Sequence, residues 1–355
     1  PGPASNVRVR LADGAEALDV YSFSRGEWFA LSTVAGEPAS PGLIAGRGPW
    51  AVGATDGKVS IDGSRLPASA VVMRPEGSLF RLDGRLYRGS LIVTVDPEGA
   101  LTAIEVLSLD DYLRGVVTRE MSPRWPLEAL KAQVVAARTF AAYRVSPSGH
   151  ARPFLTEFDL AYGGYSAETW IGDRAVKETE GQAMEYEGRL FAAYFSSTCG
   201  GATSSAAHVW GEGPFRPLDG AQCDWCRDSP HYTWTLSLKA ADLAAVLSEF
   251  GVNEVTTLRA AGVDPAGYAK EVVVNGNVTI PVYGFRRVVG SHSFKSIAFQ
   301  VRKTADGFEF TGRGWGHGVG LCQWGARGLA DEGKGWREIL QQYYPGAEIA
   351  TLGGR

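Results

Sequence analysis

Residues 108–143 read SLDDYLRGVVTREMSPRWPLEALKAQVVAARTFAAY, and they break the pattern of everything before them. Ser108 stands where a helix N-cap belongs, with Asp110 and Asp111 in the first turn. Leu109, Leu113 and Val116 then recur at helical spacing. Pro123 and Pro126 cannot continue a helix interior, so the first helix ends near Glu120. Pro126 suits the first turn of a second helix, whose Leu130, Val134, Ala137 and Ala141 fall on one face. Small residues dominate that stripe, which predicts a neighbour packed close against it. The stretch therefore predicts a helical pair with Glu120 at the bend between its members.

Upstream, VRVRL, LDVYSF, WFALST, KVSIDG, AVVMRP, LYRGSLIVTV and LTAIEVL are β-branched or aromatic runs separated by Gly, Asp and Pro. They predict an all-β lobe over 1–106. Downstream, RLFAAYFSSTCGGATSS reads as a strand entering a Gly-rich turn, and 107–231 forms the core with the helical pair. Residues 232–310 read as an inserted arm, β-rich with one helix in SLKAADLAAVLSEF. Residues 311–355 return to the core. There Gly recurs at 312, 314, 316, 318 and 320, as in an extended segment that another backbone approaches closely, and GWREILQQYYPG closes the fold as a helix. The fold class is α+β, β-rich with a helical hairpin and an inserted arm.

The 45 glycines among 355 residues fit many tight turns. The net charge of −4, without a block of Lys and Arg, argues against a nucleic-acid partner. No apolar run of about 18 residues exists, so no transmembrane segment is expected. The opening PGPASNVRVRL carries neither Met nor a charged-then-apolar leader, as a removed leader or a trimmed start would leave it. Ten Trp and thirteen Tyr supply core packing and also rings on which sugars stack.

Several residues carry chemistry, each with a plainer alternative. Glu120, near Met121 and Trp125, is either a desolvated general acid or an ordinary surface carboxylate. Asp110, Asp111 and Glu128 sit in first helical turns, where capping and dipole roles suffice, so a two-carboxylate glycosidase is not indicated. His317 in WGHGVG either binds substrate or is hydrogen-bonded inside a tight turn. Cys223-x₂-Cys226 with His231 has zinc-like spacing, and Cys199 offers a third thiolate; disulfides are the alternative. On this reading Cys322 is left over as a free or partnering thiol. RGWGHGVG lacks the strand–turn–helix setting of a dinucleotide site.

Three blocks, LSLDDYLRGVVTREMSPRWPLEALKAQVVAARTFAAY, AAYFSSTCGGATSSAAHVWG and GRGWGHGVGLCQWGARGLA, resemble in that order the SpoIID/LytB family of stage II sporulation protein D and amidase enhancers. The likeness covers roughly residues 85–345. It implies an exported bacterial protein, periplasmic or cell-wall associated, that acts as a lytic transglycosylase on peptidoglycan glycan strands. Such an enzyme cleaves the bond from N-acetylmuramic acid to N-acetylglucosamine and leaves a 1,6-anhydro end. The resemblance places the single acid/base on Glu120 of the E-M dipeptide. It suggests Gln133, Arg138, Tyr194, Ser197, His317 and Gln323 for the groove, and stem-peptide-free glycan as substrate. A cell-wall amidase is the implied partner, and a glycan-binding enhancer of that amidase, without chemistry of its own, is the alternative function. Many relatives carry a Cys/His-rich segment ending H-C-Q beyond the acid. Here that region reads HARPFLTEFDLAYGGYSAE, keeping His150 but no Cys or Gln. No cofactor is required for the chemistry, and a structural zinc would fall to Cys199, Cys223, Cys226 and His231.

Overall fold

The computed structural model describes residues 6–31, 43–77, 79–146, 153–156 and 159–352; His150 lies outside them. Among these, the residues up to Ser108 form two six-stranded antiparallel sheets. One runs, in spatial order, through Asn6–Ala15, Leu101–Ser108, Ser90–Val95, Ala70–Pro75, Gly26–Ala30 and Ile44–Gly46. The other runs through Arg85–Arg88, Leu79–Leu82, Leu18–Ser22, Trp50–Thr55, Lys58–Ile61 and Ser64–Arg65. Alternating residues of both sheets share one buried cluster, including Val20, Trp28, Trp50, Phe80, Leu91 and Val93. Trp28 and Trp50 meet edge to face across it at 5.8 Å. The run LYRGSLIVTV, one strand by pattern, is broken at Gly89 with φ 72, and its halves join different sheets. A Cβ there would strike the Val106 carbonyl, so only glycine fits.

Strand Leu101–Ser108 feeds directly into helix α1 (Leu109–Glu120). The Ser108 hydroxyl accepts from the Asp111 amide at 3.1 Å and so caps the helix. Helix α2 (Leu127–Val145) follows Pro126 and is buried on nearly every face from Ala129 to Ala142. Its alanines let α1, α3 (Trp170–Glu178), α7 (Gln323–Asp331) and α8 (Trp336–Tyr343) crowd around it. Only side chains this small permit a central helix so densely surrounded. Helix α4 (Ala206–Trp210) lies beyond the STCGG turn.

The arm has its own core of Trp234, Leu243, Phe285, Phe294 and Phe310. A sheet of Thr233–Lys239, Gly307–Arg313 and Phe299–Lys303, a second of Leu258–Ala261, Glu271–Val274 and Val278–Pro281, and helices α5 (Ala240–Leu247) and α6 (Val282–Val289) enclose it. The chain re-enters the core through the Gly-rich segment, and strand Glu348–Thr351 pairs antiparallel with Gln182–Tyr186. Among the described residues no helix is long and apolar enough to cross a membrane.

Candidate active site

Glu120 is the last residue of α1, half-buried at the bend ahead of α2. One carboxylate oxygen accepts from the Ala161 amide at 2.8 Å. The other faces the Gln323 side-chain amide at 3.4 Å, and the same amide group lies 3.4 Å from the Gln133 carbonyl oxygen. Burial pushes the Glu120 carboxyl above its ordinary value; the Ala161 and Gln323 donors and the Arg119 charge oppose this, because they favour the ionised form. The result is a carboxyl held in one orientation yet biased toward carrying a proton.

The three other acids of this stretch are committed elsewhere. Asp110 pairs with Arg138 at 2.7 Å. Asp111 takes part in the Ser108 cap at 2.8 Å. Glu128 accepts from the Trp336 amide at 2.9 Å and so fixes the start of α8.

The groove candidates separate. Gln323 faces Glu120, and Gln133 faces Gln323 behind it. Ser197 is half-buried, and its carbonyl accepts from the Trp324 amide at 3.1 Å, tying the STCGG turn to α7. Tyr194 and His317 form a second cluster with Trp210: ring centroids are 4.3 Å apart for Tyr194–Trp210 and 5.1 Å for Trp210–His317. Phe140, two turns of α2 beyond Gln133, packs at a tilt against Tyr194 with ring centroids 5.8 Å apart. The two clusters therefore lie along one side of α2. The Val319 amide donates to His317 Nδ1 at 3.0 Å, which leaves the proton on Nε2. Desolvation lowers the His317 pKa to about 4 despite a hydrogen bond to the Phe195 backbone, so the ring is neutral above that pH. Arg138 does not belong with them. It is 1% exposed, and its guanidinium is spent on Asp110 and on the Gln182 carbonyl at 3.0 Å. It fastens α2 to α1 and the following strand instead of facing a ligand.

The cysteine set also changes by one member. Cys199, Cys223, Cys226 and Cys322 are buried free thiols whose sulfurs all lie within 4.8 Å of one another. Cys322, expected to be left over, is the fourth. His231, expected as a ligand, has its ring against Trp315 at 4.3 Å and Nδ1 3.2 Å from the Lys295 ammonium. Spacing favoured His231 because it is near in sequence, whereas parallel pairing of Phe195–Ser196 with Leu321–Cys322 brings the distant thiol in.

The sequence reading passed over two residues that pack on the bend between α1 and α2. Trp324 packs on Trp125 at 5.0 Å, and the Arg327 guanidinium lies 4.8 Å above the Trp324 ring. Both belong to α7, whose helical character the glycines at 325 and 328 conceal. The arm carries a separate cleft of about 670 Å³ lined by Arg259, Val263, Gln300, Thr311 and Arg313 among others; none of the predicted site residues lines it.

This architecture, a helical pair with a buried-edge glutamate met by a Gly-rich C-terminal segment, belongs with its relatives in sequence: the chain is a member of the stage II sporulation protein D family. The family described as "Stage II sporulation protein" matches residues 97–186, which span α1, Glu120 and α2. The chain is 31% identical over 266 residues to Stage II sporulation protein D of Bacillus subtilis, covering 70% of this chain and 76% of that protein. An uncharacterised protein of Brachyspira hyodysenteriae is 37% identical over 278 residues, covering 76% and 74%. The Amidase enhancer of Bacillus subtilis is 27% identical over 364 residues, covering 87% of this chain but 51% of that protein, so the chain spans about half its length. Family membership ties the chain to a cell-wall role.

Proposed function

We propose that this protein is a lytic transglycosylase of peptidoglycan glycan strands, with Glu120 as its single acid/base. The observation that carries the reading is the state of Glu120, oriented by Ala161 and Gln323 and raised in pKa by burial; in the bend that follows it, Trp125 packs on Trp324. Protonated Glu120 gives its proton to the glycosidic oxygen as the bond to C1 of N-acetylmuramic acid breaks. The carboxylate then takes the proton from the same sugar's C6 hydroxyl while that oxygen closes on C1. The products are a 1,6-anhydro end and an N-acetylglucosamine bearing a free hydroxyl, and Glu120 ends protonated as it began. Because the nucleophile is part of the substrate, no second carboxylate is needed, in keeping with the commitments of Asp110, Asp111 and Glu128. The aromatic pair supplies a stacking platform for a sugar ring, and the Tyr194, Trp210 and His317 rings, the last held neutral by burial, line a second stretch further along α2. Export to the cell wall and glycan free of stem peptides complete the proposal.

A second reading is favoured by the relative named for amidase enhancement: the chain grips glycan and stimulates a separate amidase. Wild type and Glu120→Gln, incubated with denuded strands and analysed by mass spectrometry, separate the two. Anhydro ends from wild type alone support the enzyme. None from either protein, with amidase stimulation retained by both, supports the enhancer and defeats the lyase.

A further inference from the structure

The four thiols stand apart from the chemistry assigned to Glu120. They come from three segments distant in sequence: the STCGG turn, the 223–226 loop and the N-cap of α7. All four residues are 0% exposed. Cys199 Sγ and Cys226 Sγ are 3.7 Å apart, well beyond a disulfide bond of about 2.05 Å. Tetrahedral coordination with metal–sulfur bonds of about 2.3 Å separates its sulfurs by about 3.8 Å. Donors already converge on the sulfurs. The Cys199 and Gly325 amides reach Cys322 Sγ at 3.3 and 3.4 Å, and the Tyr343 hydroxyl lies 3.1 Å from Cys223 Sγ. Such outer contacts suit sulfurs that carry negative charge. Four buried thiolates packed only against one another would repel, and a single divalent cation among them satisfies all four.

We infer that Cys199, Cys223, Cys226 and Cys322 bind one zinc ion as a closed tetrathiolate site. With four protein ligands no position is open to water, so the site is structural. It clamps the STCGG turn and the 223–226 loop to the N-cap of α7. Gln323 follows Cys322 directly, so the ion sets where the Gln323 amide stands relative to Glu120. That last consequence rests on the proposed role of Glu120; the metal site does not.

The test uses the purified chain without reductant. Metal content is measured by mass spectrometry, and thiols are counted in denaturant with and without chelator. One zinc per chain and four thiols titrating only after denaturation with chelator are expected. Two disulfides, four thiols without metal, or iron in place of zinc would each overturn the assignment. Cobalt(II) exchanged into the wild-type protein should give the charge-transfer and d–d absorption of a tetrahedral thiolate site, and a spectrum without them defeats it. Cys322→Ser should lose the metal and His231→Ala should keep it. Should the cysteine variant not fold, the wild-type counts and the histidine variant still decide. Zinc lost from His231→Ala would overturn the ligand set.

Discussion

Half-buried Glu120 and buried Glu105 differ in what holds them. Glu120 has donors on both oxygens, whereas Glu105, fully buried in strand Leu101–Ser108, accepts from the Arg88 amide and the Tyr162 hydroxyl on one oxygen and leaves the other without a partner among the described residues. Desolvation raises Glu105 from its ordinary 4.5 to about 8, the two donors opposing it. In that window the folded chain holds a proton that the unfolded chain releases, so stability is full below 4.5 and falls as pH rises toward 8. Glu105→Gln should flatten that fall and unfold at higher denaturant than wild type above pH 8, seen in urea melts across pH. For Glu120, the Gln replacement should lower turnover by roughly 10²–10⁴-fold, the usual contribution of a positioned proton donor. Gln323 donates to the ionised form, so Gln323→Ala should raise the Glu120 pKa further. The loss of activity on the alkaline side should then move to higher pH, read from a pH–rate profile.

Helix α2 illustrates how a legible element can mislead about its residues. Its existence, start and small-residue stripe follow from Pro126 and the alanines, yet the stripe does not mark one face, because the helix is enclosed on all sides. Arg138 has the residue type of a phosphate or carboxylate binder, but its depth turns it into a strut. Arg138→Met would leave Asp110 partly buried without its partner, which is expected to cost about 3–5 kcal/mol in thermal or urea unfolding. The Gly-rich segment is likewise half legible. Close approach was foreseeable from the alternating glycines, but Gly314, Gly316, Gly318 and Gly320 all take positive φ, so the segment winds instead of extending. A Cβ on Gly318 would enter the Tyr268 ring.

That contact joins the arm to the core. The Tyr268 hydroxyl donates to the Cys199 and Ala202 carbonyls at 3.1 and 3.2 Å, the Arg313 guanidinium to the Gly200 carbonyl at 2.9 Å, and Ser204 to Asp264 at 2.6 Å. The arm thus buttresses the STCGG turn from behind, although its own core is separate. Tyr268→Phe leaves two buried carbonyls short of a donor and should destabilise by about 1–3 kcal/mol, measured by calorimetry, with the fold retained.

By itself the sequence determined the α+β class, the β lobe, the helical pair and the position of Glu120 at its bend, because these rest on local periodicity, caps and prolines acting over a few residues. It also marked Gln133, Gln323 and three of the four clustered thiols. Only the tertiary structure decided that Cys322 replaces His231 among the sulfurs, that Arg138 is withdrawn from any groove, and that α7 brings Gln323 to the carboxyl and Trp324 onto Trp125. Those outcomes depend on a parallel pairing between Phe195–Ser196 and Leu321–Cys322, segments more than a hundred residues apart, and no local pattern encodes a contact at that separation.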